Sequence, residues 1–306
     1  MEKIENLPNL PNLPNLLIVG AAKSGTTSLH NYLKQHPDFF MTDHKEPHFL
    51  INNEIGVKRV HKAVIDVNSY KEMFAESSKF KYRGESSVMY LAFPEIAIQN
   101  IRKHLPEDVK IIIMLRNPVD RAFAGYLHNV RYNPDENLSF EDAISNSEKR
   151  YHDNNSITPD TRYLHIGMYY EQVKKFKDEF GENVHVIIYD DYVDDINKSI
   201  DAVFNFLGVK SILVDTTQRY MVGGWVFKKT FLRKILIPDN SFKSIIKSLL
   251  PSLKIRKSIR KTIMYFGTSK TPELSNEMKL ILLDYYSENI ESLSSLLGKN
   301  LNNWLK

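Results

Sequence analysis

Cysteine is absent from the 306 residues. Its absence excludes thiol nucleophiles, disulfides and cysteine-ligated zinc or iron–sulfur sites. Long apolar runs are missing as well. The longest, Leu16–Ala22 and Ile111–Leu115, fall far short of the roughly 20 residues a membrane-spanning helix needs. No basic-then-apolar leader precedes them, so the expectation is a soluble, cytoplasmic protein. Charge of one sign is not dominant: 41 Lys and Arg stand against 37 Asp and Glu, a net +4. That balance gives no reason to expect a nucleic-acid partner. What remains is 42% hydrophobic and 11% aromatic, ordinary globular composition that excludes a disordered or collagenous chain.

The charge is unevenly spread. Segment 228–261 holds eleven Lys and Arg and one acid, Asp239, about +10, with apolar residues such as Phe231, Leu232, Ile235 and Leu236 at helical intervals. Three readings of this basic amphipathic segment stay open: a solvated face, a grip on an anionic acceptor or phosphate, or peripheral contact with an acidic membrane surface. At the other end, Leu-Pro-Asn repeats three times over Leu7–Asn15. Proline every third residue forbids a helix, so residues 1–15 are read as an extended arm. No linker rich in Gly, Ser or Pro divides residues 16–306, which are expected to form one domain.

Leu16–Gly20 (LLIVG), Lys110–Leu115 (KIIIML) and Val184–Tyr189 (VHVIIY) are short apolar runs that read as buried parallel strands. Helical spacing follows or precedes them in Thr26–Gln35, Val119–Arg131 and Tyr169–Phe180, and again in the tail, Thr271–Lys306. Ser139 begins a capping-box spacing with Asp142. Strands alternating with helices predict an α/β fold, a central parallel sheet flanked by helices. Ligands in such sheets sit where strands end and helices begin.

After the first strand, Gly20-Ala21-Ala22-Lys23-Ser24-Gly25-Thr26-Thr27 has the skeleton of a phosphate-binding loop. Backbone N–H groups and the dipole of the next helix converge there on one anion, and Ser24, Thr26, Thr27 and Ser28 add hydroxyls. In triphosphatases a lysine follows the second glycine. Here Thr26 occupies that place and the lysine lies three residues earlier, at Lys23. The second strand ends in Arg116, where a magnesium-holding aspartate is expected in an ATPase. The loop is thus read as holding an anion without magnesium.

The segment AAKSGTTSLHNYLKQHP closely resembles the 5′-phosphosulfate loop of sulfotransferases that use 3′-phosphoadenosine-5′-phosphosulfate (PAPS). About 90 residues later, Leu115-Arg-Asn-Pro-Val-Asp-Arg-Ala-Phe-Ala-Gly-Tyr126 resembles the same family's 3′-phosphate segment. Lys45-Glu-Pro-His-Phe49 and Gly84-Glu-Ser-Ser-Val-Met-Tyr90 resemble segments of its glycan-type branch, heparan and bacterial. Weaker likeness runs through Gly167-Met-Tyr-Tyr170, Phe206-Leu-Gly208 and the closing Leu297-Gly298 and Trp304.

The resemblance implies a P-loop-like sulfotransferase fold and sulfuryl transfer from PAPS to a hydroxyl or amine. The acceptor it implies is a carbohydrate, glycolipid or other small molecule. Donor binding then falls to Ala22, Lys23, Ser24, Gly25, Thr26, Thr27, Ser28 and Arg116. Lys23 is expected to offset charge on the leaving oxygen and Glu46 to accept the acceptor's proton, a role that suits a carboxylate if burial raises its pKa toward neutrality. Glu85 is the second candidate for that base, and His48 would orient Glu46 or touch the sulfuryl group. Two positions depart from the pattern. The alcohol eight residues after Arg116 is Ala124, a loss of about 1–2 kcal/mol unless replaced; Tyr163 and Arg121 are the candidates to replace it. Ser86 stands where the heparan-type pattern has lysine.

Two metal readings fail on spacing. Pro47 breaks the helix that would align His44 with His48. Asp190, Asp191, Asp194 and Asp195 lack the glycine and final glutamate of a calcium loop and read as a solvated turn. No metal is expected. The competing classes are a nucleotide kinase or GTPase, and a non-catalytic anion- or membrane-binding protein.

Overall fold

The structure, a computed structural model, describes residues 13–60, 63–133, 135–218, 220, 223–228, 262 and 266–306. The repeats before Leu13 and nearly all of the basic segment 228–261 lie outside the described residues.

In the chain's first half come β1 (Leu16–Gly20), α1 (Thr26–Leu33), β2 (Phe39–Met41), α2 (Asn52–Ile55), α3 (Val67–Glu72), β3 (Tyr82–Ser86), α4 (Pro94–His104), β4 (Lys110–Leu115) and α5 (Pro118–Tyr132). Next are α6 (Phe140–Ser145), α7 (Ser147–Asp153), α8 (Tyr169–Phe180), β5 (Val184–Ile188), α9 (Tyr189–Asp194) and α10 (Ile196–Phe206). The described part of the second half closes with β6 (Trp225–Phe227), β7 (Thr268–Lys270) and α11 (Asn276–Leu297). The fold is α/β. Five strands make a parallel sheet in the order β2-β3-β1-β4-β5, and β6 and β7 form a separate antiparallel pair.

Each sheet strand can be apolar on both sides because helices cover both sides. Leu17, Val19, Ile111 and Ile113 face a core shared with α4, α5, α8 and α11. Leu16, Ile18, Ile112 and Met114 face a second core with α1 and α10. The chain leaves β1 toward β2 on one side and leaves β4 toward β5 on the other. The seam between β1 and β4 is therefore the point where the winding reverses, and ligands of such sheets bind at the strands' carboxyl ends there. Gly20 pairs with Ile113, and Ala21 N–H donates to Met114 O at 2.7 Å. The loop after β1 thus sits beside the end of β4.

Ser139 caps α6 as its spacing predicts, accepting from Asp142 N–H at 3.1 Å. The acidic stretch after β5 differs from expectation: it is helix α9, not a solvated turn. Asp190 accepts from Trp304 Nε1 at 2.7 Å and Asn303 Nδ2 at 3.1 Å. Partners more than 100 residues away in sequence turn an apparently idle carboxylate into a clasp on the C-terminal turn. Among the described residues, no helix is long and apolar enough to cross a membrane.

Candidate active site

The loop from Ala21 to Gly25 delivers the chain into α1 without a side-chain cap, Gly25 standing at φ 91°. Ser28 and Leu29 N–H donate to Gly25 O at 3.0 and 3.2 Å, which leaves the Thr26 and Thr27 N–H groups at the helix start to meet an anion. A side chain at Gly25 would meet the Tyr189 ring at 3.2 Å, in a backbone region L-residues rarely adopt. At Gly20 a Cβ would lie 2.6 Å from Leu91 Cβ. Both glycines therefore serve close approach. Ser24 is fully buried beneath the loop, its hydroxyl beside that of Tyr169. Tyr189 also carries Arg116, whose guanidinium lies 5.2 Å from the ring centre. One aromatic ring thus joins the loop to the strand-terminal arginine.

Three residues outside glycine take positive φ among the described residues: Lys23 at 70°, Glu46 at 63° and His48 at 51°. Such conformations cost about 1–3 kcal/mol each and persist where the surroundings over-determine them. All three belong to the set read from the sequence as catalytic.

Lys23 Nζ lies 3.3 Å from His128 Nδ1. Burial first, then the charges of Arg131, Arg116 and Lys45, lower the lysine's pKa to about 8, with Asp160 acting the other way. Burial and the neighbouring Lys23 and Arg131 push His128 down to about 3, so its ring is neutral and Nδ1 accepts a hydrogen bond from the lysine. Asp160 is lifted to about 6 by burial and then by Glu46, against the pull of Lys23.

Glu46 stands on a pinned loop. Its N–H donates to Ser86 O at 2.9 Å, and its Oε2 accepts from Val88 N–H at 2.9 Å. Lys45 Nζ donates to Oε1, and His48 Nε2 lies 3.4 Å from Oε2. Burial acts to raise the pKa of Glu46, as expected from the sequence, but Lys45, His48 and the Val88 N–H outweigh it and hold it below the ordinary value. The condition that burial raise the base toward neutrality is therefore not met at Glu46. His48 is lowered by burial against the pull of Glu46, so its neutral ring donates from Nε2.

Glu85 shows the opposite combination. Burial raises its pKa to about 7, yet it is fully enclosed. Tyr70 and Tyr90 hydroxyls donate to Oε1 at 3.1 and 2.7 Å, and Ser87 Oγ donates to Oε2 at 2.9 Å. Reach comes before pKa in choosing a base. Glu46 keeps 30% of its side chain exposed and Glu85 has no open oxygen, so the geometry favours Glu46. Ser86 is also enclosed. Its hydroxyl lies 2.8 Å from His30 Nδ1, and His30 Nε2 donates to Thr42 O at 3.1 Å.

Tyr163 is committed to partners other than a phosphate. It is buried, its hydroxyl donates to Glu136 Oε2 at 2.7 Å and accepts from Asn129 Nδ2 at 3.0 Å. Arg121, equally buried, donates to the Tyr163 carbonyl. Neither presents a donor for a phosphate, because both tie α5 to the segment after α7. Accordingly, Tyr163→Phe is expected to leave affinity for adenosine 3′,5′-bisphosphate unchanged in calorimetry, while lowering stability in chemical denaturation by about 1–3 kcal/mol.

The sequence reading did not single out His128 and Asp160. His128 follows Ala124 by one helical turn and precedes Arg131 by another, so that face of α5 runs past the loop. That spacing was available as a signal; Asp160 had none, being in a short turn placed by tertiary contacts.

Residues 13–289 match the sulfotransferase domain family, and the chain belongs to it. It is 27% identical over 305 residues to the bifunctional heparan sulfate N-deacetylase/N-sulfotransferase 1 of Mus musculus, covering 95% of this chain and 30% of that protein. Against heparan sulfate glucosamine 3-O-sulfotransferase 3B1 of Mus musculus it is 25% identical over 204 residues, covering 65% and 47%. The chain thus spans less than half the length of these curated relatives. A crystal structure of a sulfotransferase from Alicyclobacillus acidocaldarius matches with a TM-score of 0.73 at 28% identity, covering 96% of this chain and 99% of that one.

Proposed function

We propose that the chain transfers the sulfuryl group of PAPS to a hydroxyl or amine of a carbohydrate acceptor by direct in-line displacement. What supports this reading is that an uncapped helix N-terminus and the strand-terminal Arg116 both lie against the Tyr189 ring, while Lys23 and Glu46 both act on His128 and Asp160. The 5′-phosphate suits the loop N–H groups and the hydroxyls of Ser24, Thr26, Thr27 and Ser28; the 3′-phosphate suits Arg116. Glu46, ionised at neutral pH, accepts the acceptor's proton as its oxygen or nitrogen bonds to sulfur. Lys23 donates to the bridging oxygen as the sulfur–oxygen bond breaks and the bisphosphate leaves. The neutral ring of His128 holds Lys23, and His48 holds Glu46. Positioning and fixed charge do most of the work in such a transfer.

The acceptor class rests on the named activities of the relatives. Ser86, enclosed against His30, offers no cation to an anionic sugar, so a heparan-like acceptor is not favoured at that position. Calorimetric titration with adenosine 3′,5′-bisphosphate tests donor binding. Arg116→Ala should weaken it about 10- to 100-fold, the loss of a charged hydrogen bond to phosphate; unchanged affinity would overturn the site. Radiolabelled transfer to a panel of neutral and acidic glycans tests the acceptor.

A further inference from the structure

We propose that Glu85 is a positioning residue, a buried carboxylate that sets the direction of two hydroxyl groups so that they hold the backbone of the Glu46–Leu50 loop in its reactive shape. The proposal rests on the reading of Glu46 as base. In its ionised form the carboxylate can only accept, and three hydroxyls then donate to it, from Tyr70 on α3 and from Ser87 and Tyr90 after β3. With their protons committed to Glu85, Ser87 and Tyr90 turn lone pairs outward. Ser87 Oγ accepts from His48 N–H at 3.0 Å, and the Tyr90 hydroxyl accepts from Leu50 N–H at 3.3 Å.

Two relays therefore run from one carboxylate to the loop, and they reach it immediately beside the two left-handed residues Glu46 and His48. A loop carrying that strain needs more than its own turn bonds. Ile51 N–H and Asn52 N–H donate to His48 O, both at 3.1 Å, and Val64 N–H donates to Pro47 O at 2.9 Å. These bonds fix its carbonyls, whereas the relays fix its N–H groups. Burial favours protonation of Glu85 most strongly, the three hydroxyls favour ionisation, and the charge of Glu46 adds to the effect of burial.

Glu85→Gln keeps the shape but puts an amide donor where one of the hydroxyls donates. That hydroxyl must reverse, and its lone pair is lost to the loop. The expected result is a turnover reduced roughly 10- to 100-fold by misplacement of the base, with affinity for adenosine 3′,5′-bisphosphate unchanged and faster hydrogen exchange at the His48 and Leu50 amides. Ser87→Ala cuts one relay, so it should accelerate exchange at His48 and spare Leu50, with a smaller loss of turnover. It also keeps the test decisive where Glu85→Gln does not fold. Exchange at wild-type rates in the folded variants, undiminished turnover in Glu85→Gln, or a parallel loss of nucleotide affinity would each overturn the proposal. Exchange is read without donor or acceptor, so it decides the role of Glu85 even where Glu46 proves not to be the base.

Discussion

Replacing Lys23 by methionine is expected to slow sulfuryl transfer about 10²- to 10³-fold, the usual loss when one donor to developing oxyanion charge is removed. Methionine keeps the length of the side chain and removes only the cation. The pH dependence carries the same signature. Burial and three neighbouring cations lower the pKa of Lys23 to about 8 in the free protein. As pH rises through that value the proton is lost, so kcat/KM for the donor should fall on the alkaline side near pH 8. A bound polyanion favours the charged lysine, so the alkaline limb of kcat should lie higher. The stability effect has the opposite sense. Between about pH 8 and the unfolded lysine value the unfolded chain binds more protons, so this group's contribution to stability rises with pH there. Initial rates with radiolabelled donor from pH 6 to 10 measure the first effect, and an alkaline limb at pH 8 that survives in Lys23→Met would remove the lysine from the reaction.

Glu46→Gln should lower turnover by about 10²- to 10⁴-fold, the range for loss of a general base, with affinity for adenosine 3′,5′-bisphosphate unchanged. The neutral amide can still accept from Val88 N–H, so the loop keeps that anchor. What it cannot do is take a proton. Because Lys45, His48 and Val88 hold the pKa of Glu46 below its ordinary value despite burial, the carboxylate stays ionised as pH falls, and its own acid limb lies below the usual glutamate range. Full turnover in the variant would exclude Glu46 as base and return the question to Asp160, a carboxylate that responds to both Glu46 and Lys23.

Much of the proposed nucleotide site is legible in the sequence. Gly20, Lys23, Gly25 and Arg116 stand in local contexts, strand end and helix start, that periodicity and glycine placement reveal. The acceptor side was only half legible. Glu46 and Glu85 look alike as letters. They are separated by enclosure: one glutamate sits on a loop with open surface, the other is enclosed by Tyr70, Ser87 and Tyr90. Tyr163 misled for the same reason, since a tyrosine near a phosphate segment in sequence is spent on Glu136 and Asn129 in space.

The amino-acid order alone determined the alternation of apolar strands and amphipathic helices, the phosphate-type loop, and the arginine that ends β4, because each is written within a few neighbouring residues. Only the tertiary structure decided which carboxylate is open to an acceptor, which histidine holds Lys23, and that Asp190 clasps Trp304. Those outcomes depend on burial and on partners brought together from distant parts of the chain, and no local pattern encodes the solvent or the neighbour a side chain will meet.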